Sequence, residues 1–247
     1  MSTSSASASG AVHSDPEPSA VLHHSHERRL YRAAGLGGIL AFASWLGQPV
    51  VVAVLSAAEG DEVPTIELLR SRPYSGVIEA VIFLGMAVGL LAFVQASASL
   101  VRNRTGPEPS VWAGIGAAFG WVGAASWILV ATASLSPFTS IGLGVAEALP
   151  DQAGQTAVLE ANALLITAFV IAGALGLAGH ALFLATAGRR AGILGWPLAV
   201  TAFAAVAALA LPFLMPFTPP WGLIGVLLFV LVAGIVFLFR SRRGATR

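Results

Sequence analysis

The sequence predicts an all-α, polytopic integral membrane protein: a bundle of six transmembrane helices with both termini in the cytoplasm. Three observations carry this. Of the 247 residues, 56% are hydrophobic and 10% charged, with a mean hydropathy of +0.82. A soluble domain is about a quarter charged, so these charges are too few to cover a water-facing surface. Second, six apolar runs are each long enough for a helix, which needs roughly 20 residues to cross the hydrocarbon. Third, arginines and acidic residues alternate from one connecting loop to the next.

The elements follow in chain order. Residues 1–27 are rich in Ser, Ala, Pro and His and lack apolar periodicity, which predicts a disordered cytoplasmic tail. The first apolar run begins late and is too long for a secretory signal. The "HHSHE" of 23–27 lacks the second histidine of HExxH, because residue 30 is leucine, so no metal site is expected there. The membrane domain covers 28–243, with spans at about 33–57, 76–101, 111–135, 157–186, 193–215 and 221–239. Residues 244–247 end the chain as a short basic tail. Lipid offers the backbone no hydrogen bonds, and runs of this length and apolarity suit helices rather than barrel strands.

Orientation comes from charge. Arg28, Arg29 and Arg32 precede the first span. Arg102 and Arg104 follow the second, Arg189 and Arg190 follow the fourth, and Arg240, Arg242, Arg243 and Arg247 follow the sixth. The alternate loops carry Glu59, Asp61, Glu62, Glu67, Glu147 and Asp151, with only Arg70 and Arg72 on the basic side. The positive-inside rule then puts both termini in the cytoplasm. In the longer outer loops, about 58–75 and 136–156, "PTIELLRSR" and "SIGLGVAEAL" read equally well as short interfacial helices or as irregular loops. Arginine and alanine without lysine point to a GC-rich bacterial genome, and so to a bacterial plasma membrane.

Composition also excludes chemistry. With no cysteine there is no disulfide, thiolate metal site or thiol nucleophile. All 13 basic residues are arginine, which removes the lysine of a P-loop or a Schiff base. No GxSxG is present. "GIGAAFG" at 114–120 lies inside a span and follows no strand, so it is not a nucleotide loop. His180 is the one histidine in a span, which leaves a bis-histidine haem unsupported and predicts a packed or interfacial side chain. No cofactor and no nucleic-acid partner is expected, and the partner that composition demands is the bilayer.

The candidate site residues are the few polar groups within the spans. Glu79 in "GVIEAVIFL" and Glu160 in "AVLEANALL" each sit about a turn inside the outer end of a descending helix. They are either helix N-terminal anchors favoured by the macrodipole, or a pair facing one outward-facing pocket, since an ionisable group in the membrane is a site candidate. An internal repeat favours matching them. "ASW" recurs at 43–45 and 125–127, and "PFT" at 137–139 and 216–218, with offsets near 80 residues like that of the two glutamates. Three helical hairpins in one orientation would make such a repeat. Gln48 precedes Pro49, which is expected to kink the first helix and free backbone groups for it. Asn162 suits a helix–helix hydrogen bond. Trp45, Trp121 and Trp127 lie deep enough to pack in the bundle or line a pocket, whereas Trp112, Trp196 and Trp221 fall at span ends. The pairs Gly85/Gly89 and Gly116/Gly120 predict close internal helix contacts.

The Arg-flanked first span, "EAVIFLGMAVGLLAF", "GRRAGILGWPLAV" and the closing "FRSRR" together resemble a family of uncharacterised six-helix membrane proteins of GC-rich bacteria. The likeness covers most of 28–243. It implies the six-span fold and no particular activity, and it leads one to expect an acidic residue at the start of the sixth span, where "PWGLIGVLLF" has none. The function this sequence favours is binding or transport of a small apolar or cationic molecule, or a lipid. The alternatives are an accessory subunit with a homo-oligomeric or membrane-complex partner, and an intramembrane enzyme using a glutamate as general acid.

Overall fold

The structure is a computed structural model that describes residues 18–59, 74–105, 111–138, 144, 148–149, 151–214 and 221–243. These residues form α1 (Pro18–Glu59), α2 (Tyr74–Thr105), α3 (Val111–Leu135), a 3-10 turn (Ser136–Phe138), α4 (Gln152–Phe183) with a π-helical turn at its end (Leu184–Gly188), α5 (Trp196–Leu214) and α6 (Trp221–Arg243). No strand occurs among them. α1, α2, α3, α4 and α6 contain stretches long and apolar enough to cross a membrane. The apolar stretch of α5, Trp196–Leu211, is shorter, about 24 Å at 1.5 Å per residue.

Two expectations need correcting. α1 begins at Pro18, so the last ten residues of the stretch read as a disordered tail are helical. That stretch is anchored, because Arg104 Nε donates to Glu27 Oε1 at 2.7 Å. The Gln48 side chain, expected to serve backbone groups freed by Pro49 within α1, makes no hydrogen bond to a described residue. The segment "PTIELLRSR" and most of "SIGLGVAEAL" lie outside the described residues. Where the second long loop ends, Asp151 caps α4, its Oδ1 accepting from Gly154 N–H at 2.8 Å.

The helices alternate in direction. The α2 C-terminus meets the α1 N-terminus through Arg104 and Glu27, and α6 meets the α4–α5 turn through Arg240, whose Nη1 donates to Gly192 O at 2.7 Å. All described arginines therefore gather at one end. Each helix packs against its neighbours in the chain, and α6 closes the bundle onto α1.

Three hairpins, α1–α2, α3–α4 and α5–α6, repeat one crossing. A Cβ on Gly89 would lie 2.5 Å from Ala41 N and 2.7 Å from Gly37 O. A Cβ on Gly176 would lie 2.5 Å from Gly123 N and 2.7 Å from Phe119 O. In the third hairpin the equivalent pair, Gly225 and Ala205, stands at 3.3 Å, and the closest approach lies further along, where a Cβ on Gly222 would meet the Leu209 backbone. Ala41, Gly123 and Ala205 are spaced 82 residues apart, the interval between Trp45 and Trp127. The second helices do not keep step. Gly89 and Gly176 are 87 residues apart while Glu79 and Glu160 are 81 apart. Relative to the crossing, Glu160 is therefore displaced from Glu79 by six residues, about 9 Å along a helix.

Burial is uneven. Buried side chains run the length of α2 and α3, but in α1 they lie between Tyr31 and Ala41, in α4 from Gly173 onward, and in α5 between Leu198 and Ala205. Burial in α1, α4 and α5 is thus concentrated toward the arginine end, while in α6 it runs from Gly222 to Ser241. Backbone contact at the glycine crossings lets α1–α2 and α3–α4 gain dispersion energy that larger side chains would prevent.

Candidate functional site

Away from the arginines, a group of polar side chains gathers on α2, α3 and α4. On α3, Trp127 and Ser134 are seven residues apart and share a face. On α2, Glu79 and Phe83 are four apart and share another. The two faces meet: Trp127 stacks on Phe83 with ring centroids 5.8 Å apart and planes 19° apart. One level further from the arginines, Ser134 sits beside Glu79, close enough for electrostatic interaction but short of hydrogen-bonding geometry. Asn162 of α4 closes the group by donating from Nδ2 to Ala133 O at 3.2 Å, the helix–helix bond expected of it.

Two members of this cluster are buried without a hydrogen-bond partner among the described residues: Trp127 Nε1 and Ser134 Oγ. Trp127 is 1% exposed and Ser134 5%. A buried polar atom in an apolar setting costs roughly 1–3 kcal/mol when left unpaired. The indole N–H only donates, the hydroxyl both donates and accepts, and an ionised carboxylate only accepts. Together they offer a donor, a two-way group and an anion, along about 10 Å of helix between Trp127 and Ser134.

The other candidates are placed differently. Glu79 is half-buried, whereas Glu160 is exposed and makes no hydrogen bond or ion pair with a described residue. The six-residue slip in register gives the physical reason. Gln48 is half-buried and, at seven-residue spacing, lies on the face of buried Ala34 and Ala41. Trp121, expected inside, is 46% exposed on the outer side of α3. Trp45 is half-buried and tilts against Phe42 with centroids 5.6 Å apart. Ser134 and Phe83 were not singled out by the sequence. The spacings Glu79–Phe83 and Trp127–Ser134 were the signal that could have found them.

His180 belongs to a separate, closed network. It is 1% exposed, and its Nδ1 lies 2.8 Å from Gly116 O, its Nε2 3.0 Å from Ser97 Oγ. A carbonyl only accepts, so Nδ1 carries the proton. In the neutral ring Nε2 is then the acceptor for the Ser97 hydroxyl, whose single proton otherwise serves Val94 O at 3.2 Å. This pins α2, α3 and α4 together and satisfies every polar atom involved, so it is a packing device. The glycine pairs serve it: a Cβ on Gly120 would sit 3.0 Å from Nδ1. No group of three or more His, Asp or Glu side chains able to hold a metal ion occurs among the described residues.

Compared with family models, with curated proteins and with solved structures, the chain matches none.

Proposed function

We propose that this multi-pass protein of a bacterial plasma membrane crosses the bilayer six times, keeps its arginine end in the cytoplasm, and binds or moves a small apolar or cationic molecule at its outer end. The observation that carries this reading is a pair of buried atoms without a hydrogen-bond partner among the described residues, Trp127 Nε1 and Ser134 Oγ, near the half-buried Glu79. A ligand restores what the cluster lacks. Its cationic or donor group faces Glu79 and Ser134, its apolar body lies along the Phe83–Trp127 stack, and an acceptor reaches the indole N–H. A ring face beside a carboxylate suits a lipophilic cation.

The test is thermal stabilisation of the protein in lipid nanodiscs by a panel of small aromatic ammonium compounds, with tyramine, which carries an ammonium donor, a ring and an acceptor oxygen, as the first probe. The expected result is stabilisation of the wild type and of Glu160→Gln, with loss of the effect in Glu79→Gln. Stabilisation by no compound, or an equal effect in Glu79→Gln, overturns the proposal.

A further inference from the structure

The α4–α5 corner carries a second set of groups, far from the Glu79 cluster and unused by it. α4 ends there in a Schellman motif: Gly192, at φ +70°, donates its N–H to Arg189 O at 3.0 Å, and Ile193 donates to Gly188 O at 2.9 Å. Only glycine takes that φ at little cost. Arg240 of α6 fastens the turn through Gly192 O. The fixed turn places the guanidinium of Arg189 over the Trp196 ring, 4.4 Å from its centroid, with exposed Arg190 next to it. A guanidinium held against a ring face keeps its in-plane N–H donors free.

Below this head lies an apolar track. Trp196, Val200 and Phe203 recur at i, i+4 and i+7 on α5 and are 58%, 44% and 42% exposed. The charge around the corner is one-sided. The described residues at this end include ten arginines and a single carboxylate, Glu27, which Arg104 already occupies.

We propose that this corner is a binding site for an anionic phospholipid, its phosphate on Arg189 and Arg190 and an acyl chain along Trp196, Val200 and Phe203. Charge complementarity selects the class. A zwitterionic lipid brings an ammonium group toward a field of arginines, and a free phosphate gains nothing from the apolar track. Basic pockets at this depth are suited to anionic head groups, at about 1 kcal/mol per arginine near the surface.

The test is native mass spectrometry of the full-length protein released from micelles containing equal amounts of phosphatidylglycerol and phosphatidylcholine with the same acyl chains. The wild type is expected to retain phosphatidylglycerol selectively. Arg189→Gln with Arg190→Gln weakens retention roughly thirtyfold, about 2 kcal/mol at 1.4 kcal/mol per factor of ten. Arg28→Gln with Arg29→Gln, at another corner of the same end, leaves it nearly unchanged. Trp196→Leu keeps an apolar side chain but removes the ring beneath Arg189, and it weakens retention severalfold even if the double arginine variant fails to fold. Equal retention of the two lipids by the wild type overturns the proposal. So does displacement of the lipid by excess inorganic phosphate, or unchanged retention in Trp196→Leu.

Discussion

Ser134→Ala tests the observation on which the ligand site rests, and its sign is unusual. Most serine deletions inside a helix bundle remove a bond; this one removes an orphan. Ser134 Oγ is buried and has no hydrogen-bond partner among the described residues, and such a group costs about 1–3 kcal/mol of desolvation. Replacing the hydroxyl by hydrogen recovers that cost and forfeits only the few dispersion contacts of one atom, each worth about 0.1–0.2 kcal/mol. The ligand-free protein is therefore expected to gain about 1–2 kcal/mol. Ser126, on the same helix and equally buried at 5% exposure, is the control: its hydroxyl donates to Val122 O at 2.9 Å. Ser126→Ala is expected to lose up to about 1 kcal/mol, since a net hydrogen bond is worth about that much. The assay is reversible unfolding of the full-length protein in mixed micelles by added SDS, followed by far-ultraviolet circular dichroism, without ligand. Binding of tyramine, whose ammonium can donate to Ser134 Oγ, is measured in parallel and is expected to weaken in Ser134→Ala alone. If Ser134→Ala destabilises the protein as much as Ser126→Ala does, its hydroxyl already has a partner within the chain, and the argument for a missing ligand fails.

Three further outcomes follow from the packing. Gly89→Ala puts a Cβ 2.5 Å from Ala41 N, where ordinary contact begins near 3.4 Å; the obstacle is backbone, so the loss is expected at the upper end of the roughly 1–3 kcal/mol seen for overpacking. Gly114 has nothing within 4 Å, and Gly114→Ala is expected to be neutral or to stabilise by up to about 1 kcal/mol through helix propensity; equal unfolding midpoints for these two variants would discredit the crossing. The bond from His180 Nδ1 to Gly116 O predicts the Nδ1–H tautomer in nitrogen-15 NMR of the labelled imidazole, and an Nε2–H signature refutes that network. Asp151→Ala removes the cap that accepts from Gly154 N–H and is expected to cost about 1 kcal/mol by the same unfolding assay, with Asp151→Asn close to wild type.

What the sequence determined by itself is what depends on local composition and period. Apolar runs of span length need helices because lipid satisfies no backbone group, and five described helices meet that need. The arginines appear at alternate helix ends, and the structure collects them at one end of the bundle. Single polar residues with one plausible partner type were also legible: Asn162 bonds across helices, and His180 is packed. Only tertiary structure decided which groups meet. The glutamates look equivalent in sequence, but the 87-residue spacing of Gly89 and Gly176 against the 81-residue spacing of Glu79 and Glu160 sets them at different heights. Helix register in a hairpin is set by where small residues allow backbones to touch, which the surrounding motif does not encode. Trp121 and Trp127 differ by six residues and fall on opposite sides of α3, one exposed and one stacked on Phe83. In a chain whose lipid-facing and core-facing surfaces are equally apolar, hydrophobicity cannot say which face turns inward. That choice belongs to the glycine crossings and to the few polar atoms that must find partners.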